Sequence, residues 1–304
     1  MKKEEFLNKV KKQISFWVDS LNDKYISETF QTIQTGKMVR SRLMHLIGGE
    51  KFENEMVELS AIVEIIHLAS LLHDDVIDDS ETRRGVPSVN ATEGSKISIM
   101  LGDILYSKAF VELGKYDKEI IEIIAGAVTK LSIGEILDVN LSKSFSVDEY
   151  LYIDMIYKKT ASLIESSCRA SAIISGRDDE KFGEYGKNLG LAFQIIDDIL
   201  DIVSSSEQLG KPAMNDFVEG KTTLPYIYLH QKSDRSTKAI IESFHKKELS
   251  ESESEWILEE LETSGSLQKA LDLAKEFSEK ALNSINEKDV ELKKIVETLI
   301  ERSS

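Results

Sequence analysis

The sequence predicts an all-α protein, on three observations. Its 304 residues include only three prolines, Pro87, Pro212 and Pro225, so few positions break a helix. Apolar residues recur at helical spacing in long runs, as in ISIMLGDILYSKAFVEL and EIIEIIAGAVTKLSIGEIL. Period-two alternation bounded by turn dipeptides is scarce. Hydrophobic content of 41% is enough for a substantial core, and no composition shift or linker cuts the chain, so residues 1–304 read as a single helical domain. The formal charge of −16 disfavours nucleic acid or anionic lipid as a partner held by bulk electrostatics. One cysteine, Cys168, cannot form an internal disulfide and reads as core, which fits a cytoplasmic location. No signal-type block opens the chain, and no apolar run approaches the ~20 residues of a membrane helix.

In chain order, helices are expected to break at Gly36, at the Gly85–Pro87 turn, at Gly114, in SKSFSVDEY, in SGRDDE, and between Ser204 and Gly220. Ser146 with Glu149 three residues on has the form of a capping box. From Lys246 onward the chain is charged. It still carries the stripe Leu267, Ala270, Leu271, Ala274, Phe277, Ala281 and Leu282, the mark of an amphipathic helix.

The chemistry concentrates in a motif that occurs twice. LLHDDVIDDSETRRG places Asp74, Asp75 and Asp78 at positions i, i+1 and i+4, and FQIIDDILD repeats that spacing with Asp197, Asp198 and Asp201. At about 100° per residue, each trio falls within one arc of a helix. A single such cluster is commonly a solvated acidic face. Two identical ones, each preceded by an apolar run, point to a bound cation. All-oxygen donors suit Mg²⁺, which takes one or two carboxylates and keeps positions open for water and phosphate. The absence of His or Cys at ligand spacing beside these aspartates argues against zinc.

Phosphate charge left over by the metal needs cationic side chains. Arg83 and Arg84 follow the first motif, with guanidinium planes suited to phosphate. Further candidates are Lys37 and Arg40 in TGKMVRSRL, Lys159 in KKTASL, Lys211 in LGKP and Lys221 in EGKTTLP. EGKTT imitates the end of a P-loop, but Asn215 stands where the required glycine would be and no strand precedes it. Two acidic sites with several cations describe a pocket for one or two diphosphates.

With these residues in view, the sequence resembles the trans-isoprenyl diphosphate synthases, the polyprenyl synthetase family. EIIHLASLLHDDVIDDSETRRG and GLAFQIIDDILD are similar to its two aspartate-rich motifs, and the short boxes at Gly36, Lys159 and Gly210–Pro225 are similar to the rest. The resemblance implies a bundle of antiparallel helices around a central cavity, as a homodimer. It implies Mg²⁺, about three ions per active site, on Asp74, Asp75, Asp78, Asp197, Asp198 and Asp201, bridged to an allylic diphosphate. Arg83, Lys159, Gln194, Lys211 and Lys221 would face that diphosphate. Gly36, Lys37, Arg40, His67 and Arg84 would bind isopentenyl diphosphate. Thr160 and Gln194 would offer oxygen dipoles to the allylic cation, and the departed diphosphate would take the proton. His73 reads as structural. Two positions depart from the family pattern: Ser41, where proline is frequent, and Asp138 in GEILD, where glutamine is frequent.

Ala69 and Ser70 lie about one turn before Asp74, where the family uses aromatic side chains to stop the product short. Small residues there leave the passage unfilled and predict a product of about seven to nine isoprene units, suited to a quinone side chain. Met100, Tyr106 or Phe110 could instead set a floor, giving a geranylgeranyl or farnesyl product. Two rivals use other chemistry: a class I terpene cyclase, which needs no second diphosphate site, and a non-catalytic regulatory subunit, which is expected to have lost aspartates.

Overall fold

The computed structural model describes residues 2–203 and 214–301, and they are almost entirely helical. Their contacts divide into two compact units, residues 1–128 with 166–183 and residues 129–165 with 184–304.

In the first unit, α1 (Lys2–Asp19), α3 (Val39–Gly48) and α6 (Ser95–Leu113) pack on α4 (Glu53–Ile77). α4 is apolar on all sides from Met56 to Leu72 and is buried nearly all round, as a central helix must be. With the 3₁₀ turn before it, it is long and apolar enough to cross a membrane by composition alone, but 78% of that apolar window is buried inside the protein. α2 (Lys24–Thr32) is capped by Asp23, whose carboxylate accepts from the Ile26 amide. Cys168, in α9 (Ser162–Ser175), is buried.

The expected loop after α4 is a small hairpin. β1 (Thr82–Arg83) pairs antiparallel with β2 (Val86–Pro87), and Arg84 and Gly85 between them have φ of 55° and 77°. Positive φ at both central residues is the signature of a tight two-residue hairpin turn. It fixes a position for two arginines that a plain loop would leave loose. α5 (Val89–Glu93) follows, capped by Ser88.

In the second unit, α7 (Lys118–Leu141, from Thr129 on) leads to α8 (Glu149–Ile156). The cap of α8 is Asp148, which accepts from the Leu151 amide, and not the expected box at Ser146. A genuine capping box does occur, at Ser250 and Glu253 of α14 (Glu251–Thr263). Between α8 and α9 lies one π turn, Tyr157–Ala161. α10 (Asp179–Val203) carries the second acidic motif. α11 (Asn215–Val218), α12 (Leu224–Lys232), α13 (Arg235–Phe244) and α14 close over a core of Ile202, Met214, Phe217, Tyr226, Leu229, Ile241, Ile257 and Leu261. The predicted C-terminal helix is α15 (Ser266–Ser284), followed by α16 (Val290–Glu301). The buried seam of α15 is made of small residues, Ser266, Ala270, Ala274, Ser278 and Ala281, while Leu271, Phe277 and Leu282 flank it half-buried.

Candidate active site

The first unit holds the first motif and six of the predicted cationic or phosphate-contacting positions, Gly36, Lys37, Arg40, His67, Arg83 and Arg84. Asp74 and Asp75 close the last turn of α4, and Asp78 caps its C-terminus with its amide bonded to the Asp74 carbonyl. Asp75 is 3% exposed. Arg83 reaches it from the hairpin, with Nε and Nη2 both 2.6 Å from Asp75 Oδ1. Burial raises the Asp75 pKa, and the Arg83 guanidinium opposes that rise.

Arg84 turns the other way. Its Nη1 donates to the Gln34 carbonyl at 2.5 Å, and its guanidinium lies on Gly36, where an added Cβ would sit 2.6 Å from Nη2. A side chain at position 36 would push the Arg84 guanidinium aside. Arg40, on α3, shares its field with Arg84 and with buried Glu64, and burial is the main cause of its lowered pKa. His67, one turn past Glu64 on α4, is held well below its ordinary pKa, first by burial and then by Arg40, Arg84 and Arg83. Glu64 is the negative counterweight to this group, and Ser41 holds it, donating Oγ at 2.6 Å and its amide at 3.3 Å. A proline at position 41 could offer neither donor. Lys37 is exposed.

Ala69 and Ser70 are both buried in α4, and Ser70 Oγ donates to the His67 carbonyl. Across α6, Ser98 Oγ donates to the Leu72 carbonyl, and Tyr106 stacks between Phe110 and His73, with ring centroids 6.3 and 5.6 Å away. Met100 and Phe110 are largely exposed.

The second unit holds the second motif. Asp197 is exposed, while Asp198 and Asp201 are buried. Asp198 ends a chain of polar contacts: Thr160 Oγ1 donates to Gln194 Oε1 at 2.8 Å, Gln194 Nε2 donates to Asp198 Oδ1 at 2.8 Å, and the Tyr152 hydroxyl donates to Asp198 Oδ2. Burial, and then Asp216, push Asp198 well above the usual carboxylate range, although the two hydrogen bonds pull the other way. Asp201 accepts from the Asp216 amide, bracing α11.

Lys159 and Thr160 lie in the π turn, and π turns frequently mark functional positions. Two glycines admit its bulk. A Cβ on Gly134 would collide with the Lys159 backbone, and one on Gly190 with Ala161. The Lys159 ammonium bonds Asp138 and lies 2.9 Å from Glu135. Lys221 pairs with Glu219 at 2.6 Å, its amide donates to the Asp216 carbonyl, and His245 donates to the carbonyl of the adjoining Gly220. Lys211 lies outside the described residues.

Sequence reasoning missed Glu64, Glu135, Tyr152 and Asp216. Glu64 sits inside an apolar run, a place where an acid is worth noticing. Tyr152 carried no signal.

The donor set fits a divalent cation. Every candidate ligand is a carboxylate, and Asp198 carries a burial penalty on its charge that a cation would offset. Among the described residues no three acids or histidines form a ready cage. Mg²⁺ does not require one, since water and phosphate complete its shell.

An all-helical chain with two such acidic clusters and several cations is built like an isoprenyl diphosphate synthase, and comparison with known proteins agrees. The family model for polyprenyl synthetase matches residues 23–261. The chain is 37% identical over 243 residues to a rice protein, mitochondrial solanesyl-diphosphate synthase 1 (Oryza sativa subsp. japonica), over 79% of this chain and 56% of that one's length. It is similar in structure to octaprenyl pyrophosphate synthase from Helicobacter pylori, with a TM-score of 0.95, 39% identity and 99% of each chain covered. It is also similar to a polyprenyl synthase from Caulobacter crescentus complexed with calcium and isoprenyl diphosphate, with a TM-score of 0.89, 30% identity, and 99% and 95% covered.

The chain belongs to the polyprenyl synthetase family. Solanesyl and octaprenyl diphosphate synthases are among the proteins it is similar to, and the family is one of trans-prenyltransferases.

Proposed function

We propose that residues 1–304 act as one catalytic domain that adds isopentenyl diphosphate to an allylic diphosphate until the product reaches about seven to nine isoprene units, the small side chains of Ala69 and Ser70 leaving room for it. The proposed setting is a homodimer in a reducing cytoplasm, with the product destined for a quinone. Ile99, Met100, Phe110 and Val111 on α6 are exposed, and a dimer contact would cover them.

The carboxylates of Asp74, Asp75, Asp78, Asp197, Asp198 and Asp201 would hold Mg²⁺, about three ions. Bound there, the metal would neutralise the charge that grows on the departing diphosphate. Arg83, Lys159, Lys211 and Lys221 would add donors to the same diphosphate. Lys37, Arg40, His67 and Arg84, on a backbone kept open at Gly36, would hold isopentenyl diphosphate so that its double bond meets the allylic carbon. His67, kept neutral by burial and its arginine neighbours, is a hydrogen-bonding group and not a proton carrier. The Thr160–Gln194–Asp198 chain fixes the orientation of two oxygen dipoles for the allylic cation.

The observation that carries this reading is the recurrence of the acidic triad in both units, each with a buried carboxylate at its second position. The test is incubation of the purified chain with Mg²⁺ and a short allylic primer, with and without isopentenyl diphosphate, followed by chromatography of the dephosphorylated products. A long polyprenol only when isopentenyl diphosphate is present is expected. A hydrocarbon formed without it would indicate a cyclase, and no product from the chain alone would indicate a regulatory subunit. Ala69→Phe and Ser70→Phe should shorten the product while the first condensation survives. An unchanged product length would remove these residues from length control.

A further inference from the structure

None of the roles above uses Asp138. It is buried on α7 together with Glu135, which lies about one turn earlier. Both carboxylates meet one ammonium, that of Lys159. Among the described residues the Glu135 oxygens have no hydrogen-bond donor, and the Lys159 ammonium lies 2.9 Å from one of them. A static ion pair needs one carboxylate, and burying a second adds a desolvation cost. The pair therefore holds more negative charge than the lysine neutralises. Gly134 adds the mechanical part. It lets the π turn lie directly against α7, so backbone contact fixes the root of Lys159 relative to both acids.

We propose that Glu135 and Asp138 are the resting anchor of Lys159. They hold its ammonium while no diphosphate is bound and release it to phosphate oxygens when the allylic substrate arrives. The inference rests on the reading that Lys159 meets the allylic diphosphate. A partly buried lysine left alone would tend to lose its proton. Two carboxylates face it in the empty site, and a diphosphate carries enough charge to compete for it. Each turn of chain elongation would pass the lysine from acids to phosphate and back. Glu135 and Asp138 are positioning residues, since they act through Lys159.

The test measures binding of inorganic diphosphate with Mg²⁺ to the full chain by calorimetry, for wild type, Asp138→Asn, Glu135→Gln, Lys159→Ala and the Lys159→Ala/Asp138→Asn double variant. Asp138→Asn weakens the anchor and should tighten diphosphate roughly fivefold. Its KM for the allylic substrate should fall while that for isopentenyl diphosphate stays unchanged. Glu135→Gln should act in the same direction, and it carries the test if the first variant does not fold. Lys159→Ala should weaken diphosphate, and Asp138→Asn should add nothing on that background. A purely structural role would lower Tm without separating the two KM values, and would overturn the anchor. If Lys159→Ala weakens diphosphate but neither acid variant tightens it, the anchor alone falls. If Asp138→Asn tightens binding equally without Lys159, Asp138 acts directly on the phosphate charge and the anchor again falls. If Lys159→Ala leaves diphosphate affinity untouched, the anchor falls together with the substrate reading of Lys159.

Discussion

Asp75 and Asp198 hold the same place in the i, i+1, i+4 pattern and are equally buried, at 3% and 5% exposure, yet their partners differ in kind. Asp75 sits at the end of its helix and receives a guanidinium from a hairpin a few residues on. Asp198 sits inside α10 and receives neutral donors, Tyr152 and Gln194, with Asp216 adding negative charge nearby. The first site carries its own counter-ion. Among the described contacts, Asp198 itself is met by neutral donors only. One spacing thus yields one buried carboxylate held by a guanidinium and one held by a hydroxyl and an amide.

The sharpest way to break that comparison is to remove the first aspartate of each motif, half-buried Asp74 and exposed Asp197. Asp74→Ala and Asp197→Ala should each lower turnover roughly 10²–10³-fold, as removal of a transition-state charge stabiliser does. Stability without Mg²⁺ should hold or rise, because a crowded acid has gone. Steady-state rates at saturating Mg²⁺, with thermal unfolding in a chelator, check both halves. Near-normal rates would show that the motif is not a metal site.

The arginines come next. Arg83→Ala should raise the KM of the allylic substrate, and Arg84→Ala that of isopentenyl diphosphate, each by roughly thirtyfold for a lost charge-assisted contact. Equal effects on both substrates would contradict the division suggested by their opposite directions in the hairpin.

Neutral isosteres should then separate the motifs in the metal-free protein. Asp75→Asn leaves Arg83 short of its counter-charge and should cost about 1.5 kcal/mol. Asp198→Asn removes a charge that burial disfavours and should be neutral, or stabilise by about 1 kcal/mol. Urea unfolding in chelator measures the pair, and a loss of the same size in both would erase the contrast.

The smallest effect is a pH dependence in the first unit. The folded-state pKa of His67 is depressed, so the unfolded chain takes up a proton as pH falls through its ordinary value near 6.5 while the folded chain does not. His67 therefore contributes a loss of stability below that pH, about 1 kcal/mol between pH 6.5 and 5.5, and none above it. His67→Asn should flatten the slope of unfolding free energy in that window. An unchanged slope would mean that His67 titrates alike in the folded and unfolded chain.

The helical class and both acidic triads were legible in the sequence because they are local and periodic. Gly36, Gly114 and the SGRDDE break also fell where helices end or begin. Pairings were not legible, because they link residues far apart in the chain. Lys159 finds Asp138 across 21 positions, Tyr152 finds Asp198 across 46, and Ser41 finds Glu64 across 23. Periodicity gives the face on which a residue sits but not which residue of another helix it meets. Ser41 and Asp138, noticed only as departures from a pattern, acquired partners once the fold was known. The cap of α8 was missed because two plausible residues, Ser146 and Asp148, stand two apart, and only backbone geometry decides between them.

The π turn at Tyr157–Ala161 restricts how this gene segment can change. One surplus residue is accommodated there, held between Gly134 and Gly190. Deleting a single codon from it would restore regular winding and leave the helices on either side close to their present bearings. The side chains inside the turn would not keep theirs: Lys158, bonded to Asp154, Lys159, bonded to Asp138, and Thr160, bonded to Gln194, are all aimed by the widened turn. Substitutions here can be tried one side chain at a time, whereas a lost residue re-aims several at once, so this stretch is expected to tolerate new letters far better than missing ones.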